Sequence, residues 1–155
     1  MSTQPAAANT TLIGIAGVHH VVSELSRRGL LALPTVRNTA AYDVVVITPD
    51  GRKHANIQVK SSSKRVLFFR MPPSARMRTG PRDFYVLARW LKNERRYECF
   101  MLTGREAKEA VKHEERWQRS RRRSGHRKGL NPCVSLTRDR SHMERWQRRW
   151  QKWHL

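Results

Sequence analysis

Acidic residues are scarce in this chain. Twelve aspartates and glutamates stand against 32 lysines and arginines in 155 residues, a formal charge of +20. Cysteine is scarcer still. Cys99 and Cys133 form neither a C-x-x-C pair nor a Cys/His cluster at zinc spacing, which excludes a zinc finger and a disulfide framework. Two isolated thiols suit a reducing compartment, so a cytoplasmic location is expected. No apolar run approaches the roughly 18 residues needed to span a bilayer, and no basic segment leads into an apolar core at the amino end. Neither a membrane span nor a secretory signal is therefore expected.

What is abundant is positive charge, and it is unevenly placed. Residues 1–60 carry 6 basic and 3 acidic groups, residues 61–112 carry 13 and 5, and residues 113–155 carry 13 and 4. Self-repulsion on this scale opposes compactness and points to a polyanionic partner. DNA is the expected one, with an anionic surface or an acidic protein as the alternatives.

The chain is long enough to bury a core without a metal or a disulfide. Residues 1–11 are small and polar and are expected to be disordered. From Leu12 to Leu30, Ile13, Ala16, Gly17, Val21 and Leu25 recur at helical spacing, and Arg27-Arg28-Gly29 makes a stop signal. Leu31–Thr35 and Tyr42–Thr48 read as strands, the second apolar and β-branched. Pro49-Asp50-Gly51 is a turn signal. After it His54, Asn56, Gln58 and Lys60 alternate with Ala55, Ile57 and Val59, a strand with one polar face. Further strands are expected at Val66–Phe69, Asp83–Arg89 and Tyr97–Leu102, with a helix from Arg105 to Trp117. The predicted fold is an α/β sandwich around a mixed sheet, residues 12–117, followed by a basic helical tail, residues 118–155. In that tail Met143, Trp146, Trp150 and Trp153 form one apolar stripe, with Asp139 or Ser141 as the cap. The stripe is expected to pack on the body, on a second copy in a homodimer, or within a larger complex.

Four segments, taken in order, resemble a known family. They are Ala16–Gly29, then Arg37-Asn38-Thr39-Ala40-Ala41-Tyr42-Asp43, then Ile57-Gln58-Val59-Lys60-Ser61-Ser62, then Asp83-Phe84-Tyr85-Val86-Leu87. The series resembles small PD-(D/E)XK nucleases related to archaeal Holliday-junction resolvases, and covers Leu12 to Lys112. The resemblance implies a restriction-endonuclease-like fold and metal-dependent hydrolysis of DNA phosphodiesters, at branched or other structured sites. It implies Asp43 as the metal carboxylate, Gln58 at the (D/E) position, Lys60 as the lysine and the Val59 carbonyl as a further ligand. Magnesium or manganese suits such oxygen donors. The sequence departs from the pattern twice. Gln58 is neutral where an acid is usual, and Val18 stands where many relatives carry a helix acid.

Hairpin geometry bears on the same residues independently. A two-residue Asp50-Gly51 turn sets Asp43 opposite Gln58 on one face, whereas a three-residue turn sends them to opposite faces. The sequence does not choose between them. Residues expected to contact nucleic acid are Arg37, Asn38, Ser61, Lys64, Arg76, Arg78, Arg82 and the run Arg121, Arg122, Arg123. Three classes stay open: an endonuclease, a nuclease-fold binding module that has lost catalysis, and an accessory subunit docking through its tryptophans.

Overall fold

The computed structural model describes residues 10–36, 42–63, 67–121 and 129–155. In chain order the elements are α1 (Thr10–Arg27), β1 (Leu31–Pro34), β2 (Val44–Ile47), β3 (His54–Ser62), β4 (Phe68–Arg70), a 3-10 turn (Ser74–Arg76), β5 (Asp83–Leu91), β6 (Arg96–Thr103), α2 (Gly104–Ser120), β7 (Cys133–Ser135) and α3 (Arg140–Lys152). The fold is mixed α/β. Five strands form a mostly antiparallel sheet in the order β1-β2-β3-β5-β6, with β3 and β5 its parallel pair, and β4 pairs with β7 separately. Among the described residues no helix is long and apolar enough to cross a membrane.

Alternation along the strands sorts side chains into two apolar layers. Ala55, Ile57 and Val59 of β3 join Val44, Val46, Val86 and Ala88 beneath Val21 and Leu25 of α1. Tyr85, Leu87, Phe100 and Leu102 face the other way, onto Ala107, Ala110 and Val111 of α2 and onto Phe69 and Val134 of the small sheet. Strand β5 is thus apolar on both faces, as a strand covered on both sides must be. Helix α1 sits close to the sheet because position 17 lacks a side chain. A Cβ there would lie 1.8 Å from Ser61 Oγ and 3.7 Å from the Ala88 Cβ.

Helix α2 begins at a capping box. Thr103 Oγ1 accepts the Glu106 N–H at 3.2 Å, and Glu106 accepts the Thr103 N–H at 2.9 Å, so two amides at the helix start find partners. Glu106 also meets Arg149 of α3 in a paired contact, and Arg145 at 2.9 Å. Burial alone would raise its carboxyl, but the Arg149 and Thr103 hydrogen bonds prevail and hold it at about 2.

Helix α3 lies along edge strand β6. Trp146 enters the α2 layer, while Trp150 and Trp153 enter the α1 layer, so one helix supplies both. Arg149 donates to the outward carbonyl of Met101 on β6 at 3.1 Å, and Arg28, just past α1, lies over the Trp150 ring at 4.5 Å. The tryptophan stripe therefore packs on the body of the same chain. Glu114, buried in α2, pairs with Arg138 at 2.6 and 2.8 Å just ahead of α3. Both cysteines are buried, and burial pushes the Cys99 thiol up to about 12 and Cys133 to about 11. Neither is an activated thiol.

Candidate functional site

The β2–β3 hairpin brings the central residues together. Val44 faces Ile57 and Ile47 faces His54, the register that sets Asp43 across from Gln58. The connection is a four-residue loop, Pro49 to Arg52, rather than the two-residue turn considered from the sequence. It closes with the Thr48 N–H on the Lys53 carbonyl at 3.0 Å, and keeps the same register. Gly51, at φ +72°, adopts the left-handed conformation its lack of a Cβ permits. Asp50 ties the loop by accepting from Thr48 Oγ1 at 2.6 Å and the Arg52 N–H at 3.1 Å.

Strand β2 begins only at Val44 while β3 runs on to Ser62, so the flank of β3 beyond Ile57 would lack acceptors. Asp43 fills the first gap. Its Oδ2 accepts the Val59 backbone N–H at 2.7 Å and Gln58 Nε2 at 2.6 Å. Its own amide donates to the Ile57 carbonyl at 3.0 Å, and its carbonyl accepts from Thr35 at 2.9 Å. The carboxylate is half-buried and opens onto a cleft of about 530 Å³ between the first half of α1 and the ends of β1 and β2. Val18 and His19 of α1, Thr35, Asp43 and Val59 line it. Lys60 is half-exposed, two residues beyond Gln58 on the polar face of β3.

A second network, which sequence reasoning missed, lies across that polar face. Asp83 accepts from the Tyr42 hydroxyl at 3.0 Å, Asn56 Nδ2 at 3.3 Å and the Gly80 N–H at 2.9 Å. Arg78 stacks over the Tyr42 ring at 5.0 Å and reaches its hydroxyl at 3.2 Å. The available signal was Asn56, alternating with Gln58 and Lys60, beside a strand that opens on an aspartate.

The expected nucleic-acid contacts do not all gather here. Arg78 joins the Tyr42 network, Arg82 lies against the His54 ring at about 3.0 Å, and Arg76 is exposed at the end of the 3-10 turn. Ser61 turns under α1, where its buried Oγ has no partner among the described residues. Arg121 follows α2 and covers the Trp117 ring at 5.3 Å, on the layer opposite α1. Arg37, Asn38, Lys64, Arg122 and Arg123 lie outside the described residues, as do residues 1–9.

The donors gathered around Asp43 are a carboxylate, a side-chain amide and a backbone carbonyl. All three are hard oxygen ligands of the kind magnesium accepts while keeping several waters. The amide presents Nε2 to Asp43. Half a turn of its end group would present Oε1 with the same shape. Among the described residues no group of three or more His, Cys, Asp or Glu side chains is close enough to hold a metal, so carboxylates alone do not build the site. Comparison with family models, curated proteins and solved structures finds no match to this chain.

Proposed function

We propose that this protein is a metal-dependent endonuclease hydrolysing DNA phosphodiester bonds, built like the PD-(D/E)XK enzymes and centred on Asp43, Gln58 and Lys60. The observation that carries the reading is the meeting of Gln58 and the Val59 backbone N–H on Asp43, which with Val59 lines the α1 cleft. The arrangement of β1, β2 and β3 as an antiparallel run, with β5 parallel to β3 and α1 across them, agrees with a restriction-endonuclease-like sandwich.

Asp43, Gln58 Oε1 and the Val59 carbonyl would hold Mg²⁺ or Mn²⁺. When bound, such an ion polarises the phosphate and lowers the pKa of a coordinated water. The chain's own residues do the rest. Asp43 supplies the negative charge. Gln58 turns from donor to acceptor, because two oxygens 2.6 Å apart repel unless a cation lies between them. Lys60 orients the attacking water or stabilises charge developing on the phosphate. The excess of 20 positive charges draws in the DNA backbone, whose binding should weaken steeply with salt.

The test is cleavage of duplex, branched and single-stranded DNA with EDTA, Mg²⁺ or Mn²⁺. Metal-dependent product is expected from wild type. Asp43→Ala and Lys60→Ala are each expected to lose it while still shifting DNA in a gel. A second reading has its own observation. Asp43 Oδ2 already satisfies two N–H donors, which suits a nuclease-fold module that binds nucleic acid without cutting it. DNA binding with no cleavage in either metal would select that reading.

A further inference from the structure

A second concave site lies far along the chain from Asp43. Helices α2 and α3 diverge at the amino end of α3 to leave a groove of about 550 Å³, within the size range of ligand clefts. Asp139 lines it and is only 9% exposed. This residue holds the N-cap position of α3, yet its side chain makes no capping bond, and no described residue donates to its carboxylate. Burial pushes that carboxyl above the usual range, with His113 and His142 pulling it back. With the rest of the residue buried and no protein donor on it, the carboxylate presents its oxygens to the groove.

The surroundings restrict what that something is. Glu106 and Glu109 on the same groove are neutralised by Arg145, Arg149 and Lys112. Arg105 and Arg116 line it and form no ion pair among the described residues. A cationic partner would meet those two guanidiniums. The occupant must instead offer a neutral hydrogen-bond donor to Asp139 and an anion to the arginines. His142 is exposed and stacks on Trp146, with ring centroids 5.6 Å apart, which adds a flat surface at the groove.

We propose that this groove binds a guanine nucleotide, with the base edge on Asp139 and the phosphate on Arg116. Guanine fits because its N1–H and exocyclic N2–H are parallel neutral donors, spaced to meet the two oxygens of one carboxylate. Adenine and cytosine each place an acceptor beside their amino group, and uracil flanks its single N–H with two acceptors. Each would set an oxygen or nitrogen lone pair against the carboxylate. The base comes either from a free nucleotide or from an unpaired guanine in a strand, and the chemistry is the same.

The experiment is an equilibrium titration in EDTA, so that its outcome does not depend on cleavage at Asp43. The probes are GMP, AMP, CMP and UMP, and oligothymidylates carrying one central dG or dA. Wild type should prefer GMP over AMP by about tenfold or more, the scale of one bidentate base contact. Asp139→Asn should erase that preference while melting like wild type, since the carboxylate makes no capping bond for the change to remove. Arg116→Ala should weaken all four nucleotides alike. Preference for the dG strand without GMP binding assigns the site to a strand, and the reverse assigns it to a free nucleotide. Equal binding of all four nucleotides together with equal binding of the dG and dA strands overturns the proposal. So does an unchanged preference in Asp139→Asn. Should that variant melt early, wild-type selectivity alone decides.

Discussion

Two of the strand flanks that no neighbouring strand completes are each finished by a charged side chain. At β6, Arg149 donates to the Met101 carbonyl, and its charge is matched by Glu106. At β3, Asp43 accepts from the Val59 amide, and its charge is met only by the neutral Gln58 amide; no described residue forms an ion pair with it. The first arrangement is a matched ion pair beside Trp146 and Trp150, with Glu106 at the border of the α2–α3 groove. The second opens onto a cleft. A compensated charge on a strand flank is architecture, whereas an uncompensated one retains the capacity to hold a cation.

The strongest attack on that contrast is Trp146→Ala. The indole is 1% exposed in the α2 layer, and its removal should cost about 3–5 kcal/mol in urea unfolding. A loss under 1 kcal/mol would mean that α3 does not seal the β6 edge. Next comes Arg149→Ala, expected to cost about 1–3 kcal/mol because it removes the paired contact on Glu106 and leaves the Met101 carbonyl without that donor. It also carries a pH signature. Glu106 is held at about 2 against an ordinary 4.5. The stability it confers is complete above the ordinary value and is lost as pH falls through the depressed one. Unfolding curves between pH 6 and pH 2 should therefore flatten in Arg149→Ala relative to wild type.

Asp43→Asn should behave in the opposite way. Asparagine still accepts the Val59 amide, so the change in stability should stay under about 1 kcal/mol. Any rise of melting temperature with added Mg²⁺ should disappear. Gln58→Glu should enlarge that rise, since a second carboxylate attracts a dication. If wild type and Asp43→Asn respond alike to Mg²⁺, the open charge is structural and the contrast fails. The smallest effect belongs to the outer edge. Leu33 on β1 is 44% exposed, and Leu33→Lys should move stability by no more than about 0.5 kcal/mol.

Much of this was legible before any coordinates. The alternation through His54–Lys60 identified β3 and its polar face, and one of the two turn registers considered placed Asp43 opposite Gln58. The register survived a loop of different length because Pro49–Arg52 adds one residue to each arm of the hairpin. Periodicity found the stripe of Trp146, Trp150 and Trp153 but could not say that it straddles β6. An apolar stripe states only that a surface is wanted, not which one. Strand β7 escaped notice because Cys133-Val134-Ser135 is short and sits within an arginine-rich stretch, where pairing with β4 is decided by tertiary contact. Asp139 was legible as a helix cap and misleading as one, since its position is that of a cap but its carboxylate caps nothing.

The placement of α3 also sets an order on how the protein is made. A chain emerging from the ribosome releases all five strands of the main sheet before residue 140, and with them two apolar layers that still lack their indoles. Until α3 arrives the β6 backbone is bare, and a bare strand flank is a template for pairing with another nascent chain. The helix is thus the step that covers this edge of the sheet. Translation that stalls between Thr103 and Arg140 would leave the whole sheet formed in sequence and unprotected in space.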